Sequence, residues 1–209
     1  MAIYKENEAD IDCSVIIPSY NSARSIKSCL DSIIGQKTDL NYEVIVADSS
    51  NDETPEIIRN QYPMVSLIHF ARKTDPGTGR NAAIKQARGE IILCTDSDCI
   101  PAPDWLEQMV QTHRRKSGCR IVGGSVINGN PESLSSIAGY LNEFGEYLPT
   151  AKARMVNSLP TCNISYRRDI FEEYGGYHRQ YYPQEEYHFH WRLHNGGEKL
   201  YFCPWIQVR

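Results

Sequence analysis

Two acidic clusters stand far apart in this sequence, Asp96-Ser97-Asp98 and the adjacent pair Glu185-Glu186. Side chains two apart on an extended chain point the same way, so Asp96 and Asp98 are expected to project toward one point. Like charges held that close resist ionisation unless a cation or hydrogen-bond donors satisfy them. A hard divalent ion, Mg2+ or Mn2+, taking oxygen ligands from these carboxylates and from a substrate diphosphate, suits such a place. DxD alone is a common pattern. Glu185 and Glu186 open QEEYHFHWRLH, which reads as a helix start. Acidic residues there stabilise the helix dipole, and in a cleft shared with the DxD one of them could act as a general base.

Two further segments end in polar clusters: Pro18-Ser19-Tyr20 after SVII, and Asp48-Ser49-Ser50 after YEVIVA. Such residues also serve as ordinary caps and turns, and Asn21 and Ser50 can be read that way. The stretch DPGTGRNAA contains GxGxxA, but the dinucleotide fingerprint should directly follow the first strand, and Ala71 to Pro76 intervene here. It also lacks the Gly-Lys-Ser/Thr of a P-loop. A flexible loop carrying Arg80 or Lys73 toward a diphosphate fits better, because guanidinium forks match phosphate oxygens. His188, His190 and His194 raise zinc, since the last two are spaced i,i+4. No other ligand cluster joins them, and a packed or solvated histidine face is the preferred reading.

These residues need a scaffold that gathers strand ends. Short, continuously apolar runs (SVII, YEVIVA, MVSLIHF, EIILCT) alternate with helical patterns from Ser22, Thr54, Asn81 and PDWLEQMVQTHRR. Continuous rather than alternating apolar strands mean a parallel sheet covered on both faces. Ligands bind such a sheet outside the carboxyl ends of its strands, which would set the three polar clusters on one rim. Beyond Lys116 the pattern loosens: RIVGGSVI as a strand, PESLSSIAGYLNEFGEYL as a weak helix, TCNISYR as an alternating strand, RDIFEEYGGY as a helix, and KLYFCP as a strand. No repeat or linker divides the chain. Residues 1–209 are expected to form one domain, with 13–116 as one half and 117–209 as the other.

The 209 residues are 41% hydrophobic and 23% charged, enough for a substantial core and too apolar for wholesale disorder. A net charge of -4 offers no polyanion-binding surface, so nucleic acid is not an expected partner. Seven cysteines without a CxxC pair point to reduced thiols in the cytoplasm. MAIYKENEADID has no signal-peptide character, and no apolar run approaches a membrane span.

Together the segments resemble the inverting family 2 glycosyltransferases of the GT-A fold, which use nucleotide-sugar donors. CSVIIPSYNSARSIKSCLDSIIGQ is similar to the family's opening strand and helix, and YEVIVADSSNDET to its nucleotide-binding turn. GTGRNAAIKQARGEIILCTDSDCIPAPDWLEQM resembles the run into its DxD. NISYRRDIFEEYGGYHRQYYPQEEYHFHWRL resembles its acceptor side. The resemblance implies that Pro18 and Tyr20 line the base pocket, that Asp48 bonds the nucleobase, and that Arg80 sits near the base or diphosphate. It further implies Asp96 on the ribose side, Asp98 on the metal, and Glu186 as catalytic base with Glu185 its alternative.

Departures from the family pattern are Ala47 in place of a first paired aspartate, Cys99 in place of an aspartate after DxD, and Glu186 where aspartate is usual. A histidine that completes the metal site in many relatives would fall near or beyond YFCPWIQVR. The implied reaction is single displacement from a UDP- or GDP-linked sugar to a glycan or lipid-linked acceptor, with Mn2+ or Mg2+. It implies a cytoplasmic protein, at the inner membrane face in peripheral association if the acceptor is a lipid. A sugar nucleotidyltransferase and a catalytically inactive nucleotide-sugar-binding module are the rival readings.

Overall fold

The computed structural model describes residues 10–209, so the first nine residues of the acidic opening stretch lie outside the described residues. Fifteen strands and α-helices follow: β1 (Cys13–Ser19), α1 (Ile26–Ile34), β2 (Tyr42–Asp48), α2 (Thr54–Gln61), β3 (Ser66–His69), α3 (Pro76–Gln86), β4 (Ile91–Cys94), α4 (Trp105–Arg115), β5 (Ile121–Val126), α5 (Leu134–Phe144), β6 (Arg154–Val156), β7 (Ile164–Arg167), α6 (Asp169–Tyr174), α7 (Glu185–Asn195) and β8 (Leu200–Val208). The strands form one eight-stranded sheet in the order β3-β2-β1-β4-β7-β5-β8-β6. The first four run parallel, and only β7 and β6 oppose the common direction. This is the mostly parallel α/β sheet that the strand patterns predict, and its far side is mixed.

Continuous apolarity in β1 and β2 follows from burial on both faces. Val15, Ile17, Val44 and Val46 pack with Ile26, Leu30 and Ile33 of α1, Ile58 of α2 and Trp105, Leu106 and Met109 of α4. Ile16 and Ile45, one residue out of phase, pack with Ala83 of α3, Ile170 of α6 and Phe189 and Leu193 of α7. The period of two sends alternate residues to opposite layers, and each layer is closed by helices.

Three differences from the predicted elements stand out. The run from Pro76 is helix, not flexible loop. Asp75 caps it by accepting from the Thr78 N–H at 2.8 Å, Pro76 occupies the first turn, and Arg80 is therefore fixed on a helix rather than carried by a loop. Second, Asp96 to Cys99 form a turn closed by the Cys99 N–H on the Asp96 carbonyl at 3.1 Å, so Asp96 and Asp98 are not two steps along an extended strand. Third, Thr161–Asn163 is a 3-10 turn, and β7 starts at Ile164. β7 lies between β4 and β5, which buries both of its faces where alternation predicts one wet face.

Candidate active site

β2, β1 and β4 are parallel neighbours, with Pro18 level with Ala47 and Ser19 level with Asp48, so their carboxyl ends share one edge. A cavity of about 510 Å³ opens there. Of the residues singled out from the sequence, Pro18, Tyr20, Arg80, Asp96, Asp98, Glu185 and Glu186 all line it. Asp48 does not. It is fully buried beneath the rim, where its carboxylate accepts from the Ser50 N–H at 3.2 Å and lies 2.8 Å from the His69 Nδ1.

Asp48 nonetheless helps to shape the wall. The Ser50 hydroxyl donates to Asp48 and accepts from the Asn21 N–H at 2.7 Å. Asn21 has a φ of 50°, a left-handed conformation that asparagine tolerates better than most residues, and its side chain accepts from the Asn51 N–H at 3.0 Å. The Ser22 N–H donates to Thr54 Oγ1 at 2.9 Å and the Ala23 N–H to Asp52 at 3.2 Å. The loops after β1 and β2 are thus laced together, and Tyr20 stands out from that brace, 42% exposed, with Lys73 Nζ 4.2 Å from its ring centroid.

On the opposite wall α3 brings in Arg80. Its side chain is 3% exposed and donates through Nη2 to Asp96 Oδ1 at 2.7 Å, while the Asp96 side chain remains 36% exposed. Burial alone would lower the guanidinium pKa, but the Asp96 carboxylate and Tyr177 outweigh it and raise it further. Arg80 therefore stays charged, and Asp96 is neutralised from behind. Asp98 is exposed and pairs with no cation among the described residues. The turn that carries both is anchored by the Ser22 and Ser97 hydroxyls, 2.7 Å apart, and by the Cys29 thiol donating to the Asp96 carbonyl at 3.4 Å.

No group of three or more His, Cys, Asp or Glu side chains among the described residues forms a closed ligand cage. Asp98 and the free oxygen of Asp96 fit instead a hard cation that draws its other oxygens from a diphosphate and water, as Mg2+ commonly does. Asp98 would hold it, with Asp96 beside it.

Glu185 and Glu186 face the same cavity from the first turn of α7. Glu185 is 2% exposed, and its Oε2 has no hydrogen-bond partner. Its stem lies on α3, where a Cβ added to Gly77 would come within 2.8 Å of Glu185 Cγ. Glu186 is half-buried and also lines a smaller adjoining cavity of about 150 Å³. Burial raises its pKa above the ordinary carboxylate value; the charges of Glu185 and Asp96 add to this, and its own backbone N–H and Arg80 act against it. Such a carboxylate is more basic than a surface one.

The histidines of α7 have separate fates. His190 is buried, with Nδ1 2.9 Å from Ser158 Oγ and Nε2 2.9 Å from the Tyr166 hydroxyl, and burial lowers its pKa to about 3. The ring of His188 stacks on Tyr181 at 3.6 Å, and His194 is exposed. Wall residues not singled out from the sequence include Asp75, Thr161 and Pro183. Only Asp75 had a legible signal, the Asp-Pro-x-Thr pattern of a capped helix start.

No described helix is long and apolar enough to cross a membrane, and all seven cysteines are free thiols. The structure superposes on S. aureus TarS 1-349 in complex with UDP-GlcNAc with a TM-score of 0.72 at 22% identity, covering 92% of this chain and 56% of that one. It also superposes on the mannosyltransferase PcManGT of Pyrobaculum calidifontis in complex with GDP-Man and Mn2+, with a TM-score of 0.70 at 24% identity over 94% of this chain and 55% of that one. Both share its GT-A fold. In sequence it is 30% identical over 195 residues to glycosyltransferase AglE of Haloferax volcanii, covering 91% of this chain and 64% of the relative. The chain thus spans less than two thirds of the length of these relatives. Residues 14–175 match the description "Glycosyl transferase family 2", and the chain belongs to that family of glycosyltransferases.

Proposed function

We propose that the cavity binds a nucleoside-diphosphate sugar and that the chain transfers the sugar to an acceptor hydroxyl by single displacement with inversion. The carrying observation is that Asp96 and Asp98 on one wall and Glu185 and Glu186 on another line a single cavity, although about ninety positions separate them in sequence. Pro18 and Tyr20 line the base side, and Asp48 acts on it through Ser50 and the Asn21 turn. Arg80 and Asp96 hold the ribose and diphosphate side. Glu186 takes the acceptor proton as the hydroxyl attacks the anomeric carbon, and the diphosphate leaves from the opposite face. Its raised pKa and its position between two cavities favour it over Glu185, whose buried oxygen is better placed to bind than to exchange protons with an incoming group. A divalent ion at Asp98, Mn2+ or Mg2+, would supply neutralisation of the charge growing on the diphosphate.

TarS and PcManGT were solved with UDP-GlcNAc and GDP-Man, which supports a UDP- or GDP-linked donor here. On this reading residues 13–116 serve the donor and 117–209 the acceptor within one domain. The reaction runs in the cytoplasm, at the inner membrane face where an acceptor is lipid-linked. Incubation with a panel of UDP- and GDP-sugars, Mn2+ and hydroxyl acceptors of glycan and lipid-linked type tests it. Nucleoside-diphosphate release is expected with one donor, and NMR of the product should show inverted anomeric configuration. Pyrophosphate release from a nucleoside triphosphate, or retention of configuration, contradicts the reading.

A further inference from the structure

A second concavity, about 1020 Å³, lies between α5, β6 and α7. It does not stand alone. The 150 Å³ cavity shares Glu143, Tyr147, Ser158 and Tyr187 with it, and shares Asp96, Thr161 and Glu186 with the donor cavity. The small cavity thus adjoins both, with Glu186 on its border with the donor cavity and Tyr187 on its border with the larger groove.

The groove wall is unusual for a free surface. Tyr187 and Trp191 are 49% and 60% exposed, and Leu141 and Met155 beside them are 50% and 52% exposed. Large apolar groups this open mark a binding surface when they cluster in a concavity. Tyr187 and Trp191 are four residues apart on α7, so they share a face with Cβ atoms about 5–6 Å apart. Asn142, Asn157 and Glu143 line the same groove, all able to bond hydroxyl groups.

We infer that this groove is the acceptor site and that its acceptor is a saccharide chain, with sugar rings laid on Tyr187 and Trp191 and the reactive hydroxyl reaching through the small cavity to Glu186. The inference rests on the transferase reading above. A sugar ring has one face of polarised C–H groups, which suits the electron-rich face of an aromatic ring, and an equator of hydroxyls, which suits amides and carboxylates. Two rings one helical turn apart give successive sugars a platform each. A lipid surface fits the groove poorly. Glu143 and Glu146 on its wall would repel anionic headgroups, and the guanidinium of Arg154 is already taken by the Glu146 carbonyl at 2.8 Å and the Phe202 ring at 5.1 Å.

The test uses the full chain with Mn2+ and UDP or GDP, probed on an array of hexose, N-acetylhexosamine and uronic-acid oligosaccharides. Vesicles of phosphatidylglycerol are probed in parallel, and thermal stabilisation by the nucleotide is measured for every variant. Binding to at least one oligosaccharide class is expected, weakened tenfold or more in Trp191→Ala and largely restored in Trp191→Phe, with the nucleotide shift unchanged in both. Because Trp191 is mostly exposed, the alanine variant should keep its melting temperature. No oligosaccharide binding by the unmodified chain, undiminished binding by Trp191→Ala, or vesicle binding that depends on Trp191 in place of glycan binding would overturn the assignment. Absence of nucleotide stabilisation in the unmodified chain contradicts the donor reading instead, so the two failures are distinct.

Discussion

Arg80 donates to Asp96 at 2.7 Å from a side chain only 3% exposed, so the first carboxylate of the DxD turn is held from inside the protein. Of the two aspartates, Asp98 is thus the one left with uncompensated charge toward the cavity. Replacing Arg80 with Met keeps much of the stem but removes this restraint. Loss of a charge-assisted hydrogen bond costs about 1–2 kcal/mol here, less than for a fully buried pair because Asp96 meets solvent. Urea unfolding should show that loss, and calorimetry should show nucleotide affinity down about tenfold. Unchanged affinity would remove Arg80 from the donor site.

Tyr20 is the opposite case. Its exposed ring contributes little to the core, so Tyr20→Ala should change stability by less than about 0.5 kcal/mol. Nucleotide binding should still weaken several-fold, measured by calorimetry, because the ring forms one wall of the cavity. Equal affinity in the variant would make Tyr20 an ordinary surface residue.

Glycine substitution separates helix propensity from packing. Alanine is favoured over glycine inside a helix by about 1 kcal/mol. At Gly139 in α5 a Cβ meets nothing within 4 Å, so Gly139→Ala should stabilise. At Gly77 in α3 a Cβ would stand 2.8 Å from Glu185 Cγ and 3.0 Å from Tyr177 Cβ. Both neighbours are buried and cannot swing aside, and overpacking of this kind costs about 1–3 kcal/mol. Gly77→Ala should therefore melt lower and, by shifting the start of α7, lose turnover. A more stable and fully active variant would show that Glu185 need not sit where it does.

Much of this was legible beforehand. The continuous apolar runs SVII, YEVIVA and EIILCT revealed parallel strands buried on both faces, and parallel strands oblige their polar tips to share a rim. The first turn of α3 reads as loop in the sequence, with the helix placed from Asn81, because the capping signal of Asp75 and Pro76 is outweighed by Gly77 and Gly79, which weaken helix propensity. Their value is tertiary: Gly79 lies against Ala47 and Pro18, and Gly77 against Glu185. Likewise, Asp and Ser at Asp96-Ser97-Asp98 suit a turn as well as a strand end, and what anchors the turn at the rim is distant, Ser22 and Cys29. Asp48 could be assigned to a strand end, but its burial required knowing that His69 and Ser50 would enclose it.

Acid should destabilise the fold through two histidines before most carboxylates titrate. Burial lowers the pKa of His113 to about 4 and that of His190 to about 3, from 6.5 in the unfolded chain. Below pH 6.5 the unfolded state binds protons that the folded state refuses, so stability is full above pH 6.5 and falls as the pH drops toward 4 and 3. Differential scanning calorimetry from pH 7.5 to 4 should show a falling melting temperature, with a shallower slope in His113→Gln. An identical slope would mean that His113 is not neutral in the folded protein.

Glu186→Gln tests the central claim most directly. The change keeps size and shape but removes the base, so nucleoside-diphosphate release from the accepted donor should fall by about 10²–10⁴-fold, with donor affinity by calorimetry within about twofold of the unmodified chain, a difference under about 0.5 kcal/mol. Turnover at the unmodified rate, with donor still bound, would contradict the assignment of Glu186 as the group that takes the acceptor proton.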